Sequence, residues 1–204
     1  MLVDMKQEAT QRTKRKTLTS ILYASMLLAT AAPSTAQTLQ PVGSEIVFTT
    51  QQLGVPVEGR FGKFSAQITL DPKAPERGSV MFDIDTSSVR FGAAELDGEV
   101  VKTGWLSSAR FPQAVFKSSA IKAVAVDRFE VSGKLSIKGS ERDVRVPVTL
   151  LRQGAGGSGG TATGSFTINR LDFKIGEAEW ADTSLLAGEV VVRFKLVLSG
   201  LPAP

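Results

Sequence analysis

Carboxylates supply the groupings in this sequence that could perform acid–base or metal chemistry. The chain contains no histidine and no cysteine. It therefore lacks the common proton shuttle, the thiol nucleophile and the usual ligands of zinc, copper, haem iron and iron–sulfur clusters. No Gly-x-Ser-x-Gly elbow is present for a serine nucleophile. The carboxylates form three groups: Asp83 and Asp85; Glu95, Asp97 and Glu99; and Glu177, Glu179 and Asp182.

The spacing of these carboxylates argues against a catalytic or metal-binding role. Asp83 and Asp85 alternate with apolar residues, which puts both side chains on the solvent face of a strand. The group at Glu177 lacks the spacing of an EF-hand calcium loop, and a solvated turn accounts for it. The sequence therefore predicts a protein with no catalytic residues, no metal site and no cofactor.

The elements that carry these groups are one-sided strands. Apolar residues recur with a period of two in eight segments, which is typical of strands with one buried face. In the last segment, one face carries Val190, Val192, Phe194, Leu196 and Leu198. The others lie near residues 46–48, 64–70, 80–84, 113–122, 129–137, 144–150 and 164–168. In the segment 113–122 we expect Phe116, Ser118 and Ala120 to share a face.

Bends interrupt this pattern at two places. Gly59 and Gly62 are expected to let the strand before Phe64 bend. After Ile168 the apolar side changes phase, so we expect a kink at residues 169–170. Arg170 at this kink has two interpretations, an ion pair with Asp172 or a contact to the polar head of a ligand.

Residues 95–110 depart from the strand pattern altogether. Leu96, Val100, Val101 and Trp105 recur at near-helical spacing, and Phe111-Pro112 ends the run. This spacing predicts one or two short helices.

So little helix cannot cover the apolar faces of eight strands, and closure into a barrel is the economical solution. The sequence therefore predicts an all-β fold, an eight-stranded antiparallel barrel with one or two short helices. Such a barrel is either filled by its own side chains or wide enough for one small ligand. Seven apolar residues from different strands are expected to face its interior: Phe64, Ile68, Phe82, Phe116, Leu135, Phe166 and Phe194.

Residues 1–36 have the features of an export signal. Five basic residues precede an apolar stretch at residues 18–32, which is short for a membrane span. Ser34 and Ala36 are small residues at positions −3 and −1, so cleavage is expected before Gln37. The expected mature domain is residues 37–204, located in the periplasm.

The charge of the chain belongs mostly to this leader. The whole sequence has 24 basic and 20 acidic residues, of which residues 1–36 hold five and two. The mature chain then has 19 basic and 18 acidic residues, a net charge of +1. Because no basic block remains, nucleic acid is not an expected partner.

Four stretches resemble the YceI-like family of lipocalin-like, polyisoprenoid-binding proteins. They are residues 48–64 (FTTQQLGVPVEGRFGKF), 104–116 (GWLSSARFPQAVF), 133–148 (GKLSIKGSERDVRVPV) and 169–194 (NRLDFKIGEAEWADTSLLAGEVVVRF). The resemblance covers most of the mature chain. One departure is Gln52, which stands where relatives commonly have the histidine of a His-Leu-Gly-type motif.

The resemblance implies an isoprenoid or similar long-chain lipid, such as a polyprenyl or quinone tail, held in the lumen. Gln52 and Arg170 are the expected contacts of its polar head. The expected lumen residues are the seven named above together with Phe48, Leu53, Phe173 and Trp180.

Several alternatives stay open at this point. One is sequestration of hydrophobic toxic compounds such as antibiotics, and another is a lipid-modifying enzyme. An integral outer-membrane barrel is disfavoured because it needs aromatic girdles, whereas Tyr23 lies in the leader and the mature chain has two tryptophans. No stable membrane insertion is expected after cleavage. The oligomeric state is open, a homodimer included.

Overall fold

The fold consists almost entirely of antiparallel strands. The computed structural model describes residues 36–153 and 157–201. The strands are β1 Ala36–Gln52, β2 Val55–Phe61, β3 Phe64–Thr69, β4 Ser79–Asp85, β5 Val89–Arg90, β6 Gln113–Ala125, β7 Arg128–Ile137, β8 Ser140–Arg152, β9 Gly159–Asn169 and β10 Glu189–Ser199. One α-helix, α1, covers Ala94–Val100. Short 3-10 helices cover Pro75–Arg77, Thr86–Ser88, Arg170–Phe173 and Ala178–Ala181.

The strands close into a barrel. Their order in the sheet is β10-β9-β8-β7-β6-β4-β3-β1-β2-β5, and β10 also pairs with β1. This last pairing makes a ring of eight strands and leaves β2 and β5 outside it. The predicted eight-stranded antiparallel barrel with a short helix is therefore confirmed.

β2 and β3 are two halves of one bent strand. Both run antiparallel to β1, with Ile46 paired to Phe61 in the upper half and Gln37 paired to Ile68 in the lower half. The bend falls at residues 62–63, where the Gly62 amide donates to the Ser88 carbonyl instead of to β1. The bend that the glycines predict is confirmed. Below the bend, β3 takes the place of β2 in the barrel wall.

The connections at the two ends of the barrel differ in length. One end has the turn at residues 53–54, the turn at 138–139 and two long segments, 86–112 and 170–188. We call these two long segments the lid. The opposite end has the connections 70–78, 126–127 and 153–158. The lid contains α1 and three of the 3-10 helices, so it carries nearly all the non-strand structure that could position a site.

Two hydrophobic clusters hold the molecule together. The first fills the barrel towards the end opposite the lid, and its most buried members are Ile121, Phe129, Leu150 and Leu201. The second ties the lid to the barrel through Val89, Val100 and Leu106, against which Phe48, Phe61, Phe91 and Trp105 pack. Burial of each such side chain contributes about 1.5–3 kcal/mol. The lid is thus a packed cover rather than a loose loop.

Irregularities in two strands change the expected faces. A β-bulge between Ser118 and Ala120 shifts the phase of β6, so Ala120 is exposed while Ile121 turns inward. The prediction that Phe116 and Ala120 share a face is therefore wrong. At residues 169–170 the expected kink is confirmed, but β9 ends there and a 3-10 helix follows.

The predicted leader, residues 1–36, lies outside the described residues except for Ala36. This residue is the first of β1 and pairs with Thr69. The expected cleavage point between Ala36 and Gln37 thus falls at the start of a paired strand.

Candidate functional site

An apolar cavity lies inside the barrel towards the end opposite the lid. Its volume is about 130 Å³, and every residue that lines it is apolar. Strands β3, β4, β6, β7, β8, β9 and β10 all contribute, because the inward face of each strand carries the period-2 apolar residues. We call it the inner cavity. Its chemistry suits hydrocarbon and offers nothing to a polar group.

A second cavity of about 230 Å³ lies beneath the lid, and we call it the outer cavity. The two cavities adjoin, since five residues line both: Ile46, Ile84, Leu135, Phe166 and Val192. Together their volumes reach the lower end of the range of about 300–1,000 Å³ for small-molecule sites. The result is one elongated lumen along the barrel axis.

Glycines in the wall keep this lumen open. Phe194 lies directly across from Gly164 in the β9–β10 ladder, and a Cβ at Gly164 would collide with the Phe194 ring. Phe48 lies over Gly59 in the same way. Because the partner strand has no side chain at these points, each ring lies against the wall instead of filling the centre.

The chain's two tryptophans meet in the lid. Trp105 follows α1 and Trp180 lies in a 3-10 helix, and their ring centroids are 5.5 Å apart. Both line the outer cavity. This contact joins the two lid segments above the lumen.

Arg170 is buried at the base of the lid with 2% of its surface exposed. Its Nε donates to the Ala187 carbonyl at 2.9 Å, and its Nη1 donates to the Ile175 carbonyl at 2.8 Å and to the Gly176 carbonyl at 3.0 Å. Its Nη2 donates to the carbonyls of Trp180 and Leu186 at 2.5 and 2.6 Å. All five N–H groups of the guanidinium are therefore used.

The expected ion pair of Arg170 with Asp172 is wrong. Asp172 instead lies 3.9 Å from Arg142 Nε, and in the described part of the chain no carboxylate forms a salt bridge with Arg170. Burial lowers the pKa of Arg170. The side chain holds the lid segment 170–188 together through five main-chain carbonyls. It has no donor left for a ligand.

Gln52 differs from the other polar residues of the outer cavity. Thr50 donates to the Glu189 carbonyl, Thr86 donates to the Phe111 carbonyl, and Glu99 accepts from Lys102. The Gln52 side-chain amide has no hydrogen-bond partner among the residues described in the structure, although its backbone pairs with Leu186. Its two donors and its acceptor therefore remain available to a ligand.

The structure brings most of the predicted lumen residues together. The inner cavity is lined by Ile68, Phe82, Phe116, Leu135, Phe166 and Phe194. The outer cavity is lined by Phe48, Gln52, Leu135, Phe166, Arg170 and Trp180. These residues converge because each comes from the inward face of a strand or from the lid above it.

Three predicted lumen residues lie elsewhere. Leu53 is 69% exposed in the β1–β2 turn with a φ of 50°, so the prediction that it faces the lumen is wrong, because the strand ends before it. Phe173 is 1% exposed in a 3-10 helix and lines neither cavity. Phe64 packs against the first cluster but also lies outside both cavities.

Sequence reasoning missed a second set of lining residues, mostly in the lid. It includes Phe61, Phe91, Leu96, Trp105 and Leu106. The near-helical spacing of Leu96 and Trp105 was the available signal. Such a face could belong to any packed helix, and only the fold shows that the lumen lies beneath it.

A third cavity, of about 480 Å³, lies in the barrel wall between β1 and β3. Its lining includes Leu39 and Pro41 on one side and residues 64–67 on the other. We call this region the side window. It accounts for the position of Phe64.

The carboxylate groups serve local structure. Asp85 accepts from the Ser87 N–H and O–H at 2.9 and 2.6 Å, and these hydrogen bonds lower its pKa. The Lys138 ammonium lies 2.8 Å from Glu177 and lowers the pKa of that carboxyl. Within the described ranges, three or more acidic, histidine or cysteine side chains nowhere gather as a metal site would require. Within those ranges, too, no helix has the length and hydropathy to cross a membrane.

Fold and site together define a class, an eight-stranded antiparallel barrel with a covered, apolar lumen. The chain belongs to the YceI-like family, because the model of the YceI-like domain matches residues 37–198. It is 30% identical over 164 residues to Protein YceI of Salmonella agona, covering 78% of this chain and 85% of that protein.

Solved structures share the barrel. The crystal structure of BcnA from Burkholderia cenocepacia is similar with a TM-score of 0.74 and 38% identity, covering 78% of this chain and 98% of BcnA. A polyisoprenoid binding domain from Saccharophagus degradans, implicated in plant cell wall breakdown, has a TM-score of 0.65 and 17% identity. That match covers 80% of this chain and 98% of the domain, and it shows the fold alone.

Proposed function

We propose that this protein is an exported carrier that holds a long-chain isoprenoid or similar lipid in its barrel. The observation that carries the proposal is the lumen itself, in which two adjoining cavities are lined almost wholly by apolar side chains. A long hydrocarbon chain fits this shape better than a compact polar molecule does. The polyisoprenoid binding domain with the same fold supports this ligand class.

The orientation of the ligand follows from the position of the polar lining residues. Every residue of the inner cavity is apolar, so the inner cavity takes the end of the tail. The polar head lies in the outer cavity, where the Gln52 amide can donate to or accept from it. Arg170 holds the lid above the head without bonding to it.

The remaining parts of the proposal are binding without catalysis and export. The carboxylate that lines the outer cavity is Glu99, and it accepts a hydrogen bond from the Lys102 ammonium. Asp85 and Asp182 cap turns through Ser87 and Ser184. Export rests on the leader-like residues 1–36, and the mature carrier is residues 37–204 in the periplasm.

The first experiment identifies what the protein carries. The full chain is expressed in a Gram-negative host, the periplasmic protein is purified, and its extracted lipid is analysed by mass spectrometry. We expect an N-terminus at Gln37 and a co-purified isoprenoid lipid. Recovery of the chain in a membrane fraction with residues 1–36 retained would contradict cleavage before Gln37 and release into the periplasm. A hydrophobic antibiotic that binds while isoprenoids do not would favour sequestration instead.

The second experiment tests the position of the head group. An isoprenoid benzoquinone quenches tryptophan emission, and both tryptophans line the outer cavity. Gln52→Leu should weaken binding of the quinone about fivefold to tenfold, the value of one hydrogen bond of about 1–1.5 kcal/mol. Binding of a headless isoprenoid hydrocarbon should not change. Gln51→Leu is the matched control, because Gln51 is exposed on the outer face of the same strand.

A further inference from the structure

We propose that the side window is the passage through which a lipid enters and leaves the lumen, head first on entry, so that the head reaches the outer cavity and the tail comes to lie in the inner cavity. This inference rests on the proposed function, since it requires a lipid in the barrel. A lumen does not by itself determine how a lipid enters it, because a lipid could also enter if the lid lifted.

The hydrogen-bonded wall of the barrel is weakest at the side window. The ladder between β1 and β3 has two residue pairs, Ala36 with Thr69 and Gln37 with Ile68. Every other ladder of the ring has at least five. Above the window β1 pairs with β2 instead, so the gap is enclosed on both sides.

An irregularity in β1 borders this gap, since Pro41 lines the side window. Between the pairs Gln40–Val197 and Glu45–Lys195, β1 contains four residues and β10 one. The extra residues bulge outward, and Val42 is 90% exposed. The Ser44 hydroxyl accepts from the Val197 N–H at 2.8 Å and so secures the bulge to β10. The bulge is thus fixed on the β10 side and separated from β3 on the other side.

The side window leads to the lumen. Ile68 lines both the side window and the inner cavity. Leu39, Phe64 and Ala66 line the window and pack against the first hydrophobic cluster. A lipid passing here moves from one apolar contact to the next.

The chemistry of the window suits hydrocarbon. No charged residue lines it, and the exposed positions at its rim are uncharged: Ala36, Thr38, Pro41, Ser65 and Gln67. Passage of an alkyl chain therefore requires no desolvation of an ion. The lid offers a costlier route, because lifting it breaks the second cluster. It also breaks the hydrogen bonds that join the lid to the end of β1, from the Leu53 N–H to the Leu185 carbonyl and from the Ala187 N–H to the Gln51 carbonyl.

A covalent bridge across the window tests the passage. The chain has no cysteine, so Thr38→Cys with Gln67→Cys provides one reactive pair, bridged by a short bismaleimide. The control pair is Thr163→Cys with Lys195→Cys, whose residues are exposed and already paired between β9 and β10. The probe is an isoprenoid benzoquinone in phosphatidylcholine vesicles, and quenching of tryptophan emission follows its uptake and release.

We expect the bridged window to slow uptake and release about tenfold or more and to leave the equilibrium affinity unchanged, since a passage affects both rates alike. The bridged control should match the unbridged protein. Unchanged rates in the bridged window would overturn the proposal while leaving the carrier function intact. Absence of quinone binding in the unbridged protein would instead reject the proposed function itself, and with it the passage.

A plug in the window gives a second test that needs no crosslinking. Ala66→Phe adds a ring at an inward position of the window, and Thr167→Phe adds the same ring on the exposed face of β9. Thermal melting establishes that both variants are folded. Slower exchange of the quinone in Ala66→Phe alone supports the passage, and equal rates in the two variants contradict it.

Discussion

The Phe194 ring lies across Gly164 on the neighbouring strand, in the space that a Cβ at Gly164 would occupy. The Pro147 carbonyl closes the same space from the β8 side. A lumen is therefore preserved at this level of the barrel because one residue has no side chain. The openness of the barrel depends on its wall as much as on the residues that face inward.

Gly164→Ala should drive the Phe194 ring towards the lumen. We expect a loss of about 1–3 kcal/mol in unfolding free energy from overpacking, together with weaker lipid binding. Denaturant unfolding and quinone titration measure the two effects. Gly98→Ala in α1 is the control, because nothing lies within 4 Å of its added Cβ. The double substitution Gly164→Ala with Phe194→Leu should recover part of the stability, and strict additivity would contradict the contact.

Arg170→Met should destabilise the protein by about 3 kcal/mol or more, because the carbonyls that Arg170 now satisfies lose their donors in a buried site. Arg170→Lys should recover only part, since an ammonium cannot reproduce the planar fork. Arg193→Met, at an exposed ion pair with Glu58, should cost about 1 kcal/mol or less. Urea unfolding measures both losses of stability. Equal losses in Arg170→Met and Arg193→Met would show that the hydrogen bonds of Arg170 do not stabilise the lid.

Phe82 distinguishes a hollow barrel from a filled one. It lines the inner cavity opposite Phe116. In a packed core Phe82→Ala would cost about 3–5 kcal/mol. Beside a cavity we expect a smaller loss of stability and a clear loss of lipid affinity. Phe82→Trp should fold but exclude the lipid. Large stability losses in both variants, with lipid affinity unchanged in the folded fraction, would mean that the barrel is a solid core.

Acid should weaken the turn before β5. The pKa of Asp85 is lowered by its hydrogen bonds from Ser87. A carboxyl with a lowered folded pKa stabilises fully above its unfolded value of about 3.9 and loses this contribution as the pH falls through the folded value. Stability should therefore fall below about pH 4. Asp85→Asn should reduce the slope of unfolding free energy against pH in this range, and an unchanged slope would contradict the assignment.

The period-2 pattern was sufficient to predict the barrel and most of its inward residues, because a strand fixes which side chains share a face. Phe82, Leu135 and Phe194 lie in regular ladders, and each lines the lumen as expected. Ala120 does not face inward, because the bulge after Ser118 is a property of the pairing between β6 and β7. A single strand's sequence carries no clear sign of such an offset.

The lid was harder to predict for a different reason. Arg170 was predicted to contact the head of a ligand and Trp180 to line the lumen. The partners of Arg170 are instead main-chain carbonyls, which no sequence pattern displays. Leu53 was misplaced because the strand pattern continues past the residue at which β1 ends. Position in the lid is set by tertiary packing, not by local periodicity.

An even number of antiparallel strands in the ring places the start of β1 and the end of β10 side by side, and Thr38 pairs with Ser199. Both lie at the end of the barrel opposite the lid. A surface linker attached beyond either strand would therefore present every molecule with its tryptophan pair pointing away from the support. The fold is thus suited to oriented immobilisation as an optical lipid sensor, with its own indole emission as the signal.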